Sequence, residues 1–333
     1  MGKYTLERPI GSGGMGEVHL ASTSGPDGLT SQVAIKLICP TLLGSELGRE
    51  LFLQEGRAMA ALSHRNIVEV IELGDEGYVL YLAMEYLRGV DLGRAVRRGG
   101  ALPWQLAVYA VAEAARGVAA AHDRHIVHGD VTPSNVFLCA DGAVKVLDFG
   151  LARSAVGAPG VEGGSVRGVV PYLPPEVLRG AAADARADVY GLGAVLHECL
   201  TGQPPFGARN DPETVWRALR DPLPAPSELV DVPRDLDRVV ADAMARDKAG
   251  RTRSAQALAD QLDGILGGAF TAADLARWVA ERPEDPSEAP RACGHSKREP
   301  PPPPATWRRR PALWLAAVGA AALIAAGLLY LAS

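Results

Sequence analysis

Cysteine is scarce and unpaired in this sequence. Cys39, Cys139, Cys199 and Cys293 are scattered, and no Cys-x-x-Cys pair occurs. That excludes a dense disulfide framework, and Cys293-Gly-His295 lacks the companions of a zinc site. Reduced thiols in a cytosolic domain are the expectation. The opening residues, Met1-Gly2-Lys3-Tyr4-Thr5-Leu6, hold no apolar run, so no secretory leader is expected there. Leu6 stands where a myristoylation signal would carry Ser or Thr. The globular part lacks any long basic stretch and the net charge is −5, so nucleic acid is not an expected partner. No internal repeat is found.

What is present falls into three compositional regions. Up to about Gly267, apolar periodicity alternates with turn signals, and a hydrophobic content of 47% supplies a core, although much of it is alanine. From about Glu281 to Thr306 the chain turns polar and proline-rich, ending in the run Pro300 to Pro304, which favours extended polyproline II. From Ala312 to Ala332 no charged residue occurs. Within the globular region, short strand-like runs come first: Val18–Ala21, Val33–Ile38, Ile67–Leu73 and Tyr78–Met84. One helical stretch, Glu46–Leu62, interrupts them. Helical patterns then dominate: Pro103–His122, Asp188–Thr201, Asp235–Ala245 and Ala255–Leu266. A strand-rich part followed by a helix-rich part predicts an α+β fold with two lobes.

Gly11-Ser12-Gly13-Gly14-Met15-Gly16 is a loop whose backbone can approach phosphates closely. A dinucleotide site uses the same spacing, but there the loop opens a helix. Here Val18 and Leu20 alternate with Glu17 and His19 as in a strand, and Val33-Ala34-Ile35-Lys36 supplies a second strand with one lysine. That arrangement suits ATP rather than a dinucleotide. Glu55, on the helix between the strand blocks, is the candidate partner of Lys36. Further on, His128-Gly129-Asp130 is followed by Pro133 and Asn135, and later by Asp148-Phe149-Gly150. Phosphoryl transfer needs a carboxylate for the acceptor proton and oxygen ligands for Mg²⁺. Asp130, Asn135 and Asp148 are of those types. A hairpin with its turn at Asp141-Gly142 would bring Asn135 and Asp148 to one end.

Over residues 4 to 266 these motifs together resemble the bacterial eukaryotic-like (Hanks-type) serine/threonine protein kinases. The resemblance implies a bilobal fold, with a small β-rich lobe at about 4–87, a large helical lobe at about 88–266, and ATP in the cleft. It implies that Gly11, Gly13 and Gly16 cover the phosphates, and that Lys36, paired with Glu55, contacts them. Met84 corresponds to the gatekeeper. The backbone of Glu85 and Leu87 would hydrogen-bond adenine, Val18, Ala34 and Phe137 would enclose its ring, and Asp91 would meet the ribose. Asp130 corresponds to the catalytic base, and Asn135 and Asp148 to the ligands of Mg²⁺, with Mn²⁺ an alternative. Glu176, in Pro174-Pro175-Glu176, would pair with Arg251, and Asp188 would brace the catalytic loop. Protein substrates and ATP are the implied partners.

The sequence departs from the family at three positions. Gly129 replaces an Arg that receives a phosphorylated activation-loop residue, so switching through Ser154 or Ser165 is expected to be weak. Thr132 replaces a Lys that stabilises the transferring phosphate, and Val169 replaces a Thr that bonds that Lys. Losing one such donor costs about 3–4 kcal/mol at a transition state, which makes slow catalysis, with Arg167 lending charge, or a pseudokinase scaffold the alternative.

Residues 267–311 read as a partly helical, then proline-rich juxtamembrane linker. Residues 312–332 read as a single transmembrane helix, since about 20 residues at 1.5 Å rise match a hydrocarbon core of about 30 Å. Trp307, Trp314 and Tyr330 lie near its ends, and Arg308-Arg309-Arg310 precede it. These features predict a single-pass protein of the cell membrane with a cytoplasmic kinase domain. A small-residue stripe, Ala317, Ala321 and Ala325, offers a face for a homodimer in the lipid bilayer.

Overall fold

The computed structural model describes residues 2–13, 16–24, 29–39, 43–44, 46–76, 79–149, 169–208 and 210–282. Strands β1 (Tyr4–Gly13), β2 (Gly16–Ser24), β3 (Thr30–Ile38), β4 (Val70–Asp75) and β5 (Leu80–Glu85) form an antiparallel sheet in the order β1-β2-β3-β5-β4. Its register sets Val18 opposite Lys36, Leu20 opposite Ala34, and Ala34 opposite Met84. Because strand side chains alternate, Val18, Leu20, Ala34, Lys36, Leu82 and Met84 share one face. The opposite face carries its own small core of Tyr4, Ala21, Val33, Ile35, Tyr81 and Ala83. Helix α1 (Glu46–Ala60) buries Phe52, Glu55, Gly56 and Met59, a single stripe at helical spacing.

A small sheet, β6 (Gly89–Asp91), β7 (Val136–Cys139) and β8 (Val144–Val146), belongs to the helical part and is ordered β6-β7-β8. The helices are α2 (Leu92–Gly99), α3 (Trp104–His122), α4 (Pro175–Leu178), α5 (Ala185–Thr201), α6 (Asp211–Arg220), α7 (Pro226–Leu229), α8 (Asp235–Ala243), α9 (Ala255–Leu266) and α10 (Ala272–Ala280). Helix α5 is buried on every side from Ala187 to Leu200, the pattern of a central helix. Asp184 starts it by accepting the Arg186 and Ala187 N–H groups, and Gly202, at φ +77°, ends it. Alanines fill much of the buried face of α3, and their small side chains let α5 and α9 pack closely.

Two differences from the sequence reading have local causes. The ladder of β4 begins at Val70 rather than Ile67, because the preceding backbone bonds to β8: Val146 N–H donates to Asn66 O at 2.8 Å and Val68 N–H to Val146 O at 3.0 Å. Helix α10 starts in a reciprocal cap between Thr271 and Asp274 and buries Leu275 and Val279 in the main core. The packed structure therefore runs on past residue 266.

Among the described residues no helix is long and apolar enough to cross a membrane. The expected span at 312–332 lies outside the described residues, as do the proline run, Cys293, Gly150, Ser154, Ser165 and Arg167.

Candidate active site

Lys36 projects from β3 into the space between the two parts of the fold. Its Nζ lies 2.8 Å from Glu55 Oε1 on α1 and 2.9 Å from Asp148 Oδ1, just beyond β8. Burial favours the neutral amine, but the carboxylates of Asp148 and Glu55 outweigh it and hold the pKa above the usual lysine value. One ammonium thus ties α1, beside the five-stranded sheet, to the metal-type carboxylate of Asp148.

Below it runs the turn that carries Asp130. His128 Nε2 lies 2.9 Å from the Leu147 carbonyl, and His128 Nδ1 lies 3.2 Å from the Asp130 N–H. A carbonyl only accepts and an N–H only donates, so the neutral ring carries its proton on Nε2. Its face packs on Phe149, with ring centroids 4.6 Å apart. Asp188, buried on α5, accepts the His128 N–H through Oδ2 and the Gly129 N–H through Oδ1, both at 2.8 Å. Asn135 Nδ2 donates to the Asp130 carbonyl at 2.9 Å and to Asp130 Oδ2 at 3.2 Å. Both partners accept, so the Asn135 amide oxygen points away from Asp130. Asp148 has φ +43°, a left-handed conformation that aspartate tolerates better than most residues.

These placements define what the site can hold. Asn135 and Asp148 offer two hard oxygen donors, and among the described residues no cluster of three or more acidic, histidine or cysteine side chains forms a metal cage. Two such donors fit Mg²⁺, which takes its remaining ligands from phosphates and water.

The glycine loop closes the sheet side. Gly13 pairs with Gly16 and Gly11 with Val18. A Cβ on Gly16 would stand 1.7 Å from the Leu37 carbonyl, so only glycine lets β2 pass β3 there. Val18, Ala34 and Met84 share the face of Lys36, while Phe137, half-buried on β7, pairs with Asp91 across the small sheet. Glu85 and Leu87 lie at and just past the end of β5.

Farther out, Arg251 meets Glu176 in a two-pronged pair, Nη1 to Oε1 at 2.8 Å and Nη2 to Oε2 at 3.1 Å. Arg251 also donates to the Arg186 and Ala245 carbonyls and lies over the Tyr190 ring. Of the three departures, Gly129 and Val169 line a small pocket beside Asp130, with Tyr172, Leu173 and Pro174, and Thr132 is buried at its turn.

The model of the protein kinase domain matches residues 4–262 of this chain. The chain belongs to the protein kinase family. Bacterial serine/threonine kinases are among the proteins it is similar to. It is 35% identical over 287 residues to the serine/threonine-protein kinase PknB of Mycobacterium tuberculosis, covering 84% of this chain and 45% of that one. It is 37% identical over 278 residues to the tyrosine-protein kinase MasK of Myxococcus xanthus, covering 80% and 43%. The chain thus spans about half the length of these curated relatives or a little less. The crystal structure of the Mycobacterium tuberculosis PknI kinase domain superposes with a TM-score of 0.62 at 29% identity, over 79% of this chain and 96% of that one. The family in general uses ATP and divalent metal ions.

Several contacts of this kinase domain carried no sequence signal. His122 Nε2 lies 2.7 Å from Asp188 Oδ2. Tyr172 hydroxyl donates to Glu198, both buried. Glu85 Oε1 accepts from Lys145 Nζ at 2.6 Å and from the Glu69 N–H at 2.8 Å. Asp91 had a readable signal: a short acid before Leu92, Ala95 and Val96. It caps α2, accepting the Arg94 N–H at 2.7 Å, and burial pushes its pKa up.

Proposed function

We propose that this chain transfers the γ-phosphoryl group of ATP to serine or threonine hydroxyls of protein substrates, from the cytoplasmic side of a membrane that residues 312–332 span. The observation that carries the catalytic part is the placement of Lys36 between Glu55 and Asp148 at 2.8 and 2.9 Å. Mg²⁺-ATP, when bound, supplies the phosphoryl group and the charge that offsets its oxygens. Lys36, oriented by Glu55, would steady the α- and β-phosphates. The backbone of Gly11, Gly13 and Gly16 would cover them. Val18, Ala34, Met84 and Phe137 would enclose adenine, with the backbone of Glu85 and Leu87 at its edge and Asp91 near the ribose. Asn135 and Asp148 would hold the metal. Asp130, fixed through His128, Asn135 and the Asp188-braced turn, would orient the acceptor hydroxyl and take its proton. Glu176 and Arg251 would support the segment that receives the substrate.

The test is transfer from radiolabelled ATP with Mg²⁺ to the chain itself and to a generic protein substrate, beside Lys36→Met and Asp130→Asn. Transfer that both substitutions abolish supports the reading. Phosphoamino-acid analysis decides the acceptor, and phosphotyrosine alone would align the chain with MasK instead. No transfer, with ATP still bound, would favour the second reading, a weakly active scaffold, for which Thr132 and Val169 are the motivating residues. The membrane part rests on the uncharged run 312–332 and the preceding arginines. Release of the full chain from membranes by alkaline carbonate would refute it.

A further inference from the structure

Glu113 lies in the middle of α3, away from the transfer centre, and its carboxylate is buried. A buried carboxylate is costly unless it is paired, and this one is met from three directions. Its Oε2 accepts from Arg65 Nη2 at 2.5 Å and from Asn66 Nδ2 at 2.9 Å, and its Oε1 accepts from Arg116 Nη1 at 2.6 Å. Arg116 in turn pairs with Asp263 on α9.

Asn66 is the junction. Its Nδ2 also donates to the Val144 carbonyl at 2.9 Å, and its own carbonyl accepts the Val146 N–H at 2.8 Å. Its Oδ1 is buried without a hydrogen-bond partner. The amide is therefore held by its nitrogen alone, and the Glu113 carboxylate is one of the two acceptors that fix its orientation. A flipped amide would set oxygen against oxygen. Helix α3 is shaped to receive this junction, because a Cβ on Gly117 would stand 2.6 Å from the Asn66 carbonyl.

The junction joins two catalytic-type residues. Upstream, residues 61–69 follow directly on α1, which carries Glu55. Downstream, β8 runs through Leu147 into Asp148. Glu55 and Asp148 reach the same ammonium of Lys36 from these two sides.

We propose that Glu113 is a positioning residue for the transfer centre: by locking Asn66 onto β8 it sets Asp148 at its distance from Lys36. The inference rests on the reading of Asp148 as a Mg²⁺ ligand. Its test uses the detergent-solubilised full chain and a fluorescent ATP analogue, bound with Mg²⁺ and in EDTA. The readout is the ratio of the two dissociation constants. In Glu113→Ala the Mg²⁺-dependent gain in affinity should fall by about tenfold, as for residues that orient a metal ligand, while metal-free affinity stays near wild type. Glu113→Gln, which keeps an oxygen for Asn66, should recover most of the gain. If the alanine variant does not fold, Glu113→Asp, shorter by one methylene, is read in its place, with the same loss expected. An unchanged ratio, or equal losses with and without Mg²⁺, would reduce Glu113 to a strut and overturn the proposal. A wild-type chain whose nucleotide affinity ignores Mg²⁺ would instead sink the reading of the site, and this inference with it.

Discussion

Asp188 Oδ1 accepts the Gly129 N–H at 2.8 Å, at a residue whose φ is +72°. The buried carboxylate pulls the turn before Asp130 into a left-handed conformation, and glycine adopts it without steric cost. Gly129→Ala should therefore destabilise the fold by about 1–2 kcal/mol, read from urea unfolding. An unchanged midpoint would mean that the turn relaxes away from Asp188.

Glycine at 129 also stands where the resemblance implies an arginine that receives a loop phosphate. The double variant Ser154→Ala, Ser165→Ala should keep most of the wild-type transfer rate to a protein substrate. A large loss, measured as initial rate at saturating ATP, would show that another cation receives the phosphate.

Thr132 and Val169 stand where the resemblance implies Lys and Thr, and both are buried. Thr132→Lys, alone or with Val169→Thr, should raise kcat, with a ceiling on the order of 10²–10³, the usual weight of one preorganised donor. The gain should appear in kcat more than in KM for ATP, since the donor acts on the transferring group. A fall in kcat would show that the pocket around Asp130 is packed against a longer side chain.

Burial works to raise the pKa of Glu176, but the Arg251 hydrogen bonds prevail and hold it below the usual carboxylate value of 4.5. The folded state thus binds this proton less readily than the unfolded chain. The pair's contribution is complete above about pH 4.5 and is lost as pH falls through the lower folded-state pKa. Glu176→Gln should be less stable than wild type at neutral pH and should lose less stability on acidification from pH 5 to 3. Parallel acid limbs in denaturant titrations would contradict this.

The site was legible in the sequence to the extent that its chemistry is local in the chain. Lys36 could be placed on a strand and Glu55 on a helix by periodicity, and the hairpin between Asn135 and Asp148 by its Asp141-Gly142 turn. Gly16 was legible only as phosphate cover; its close passage against the Leu37 carbonyl of β3 is decided by the fold. Likewise, nothing near Glu113 in the chain points to Asn66, which lies 47 positions away. Nor does anything near Lys145 point to Glu85. An acid in the middle of an alanine-rich helix reads as solvent-facing until the partners that compensate its burial are known.

The sequence by itself determined which residue types were available for phosphate, metal and proton, and the order of strands and helices that would carry them. Alternation and helical periodicity are properties of neighbouring residues, so one chain suffices to read them. Only the tertiary structure decided which distant groups meet: Lys36 with both Glu55 and Asp148, Asp188 with the Gly129 turn, and Glu113 with the Asn66 junction. Those contacts depend on how the sheet, α3 and α5 pack, and packing satisfies buried charges through partners that sequence distance does not reveal.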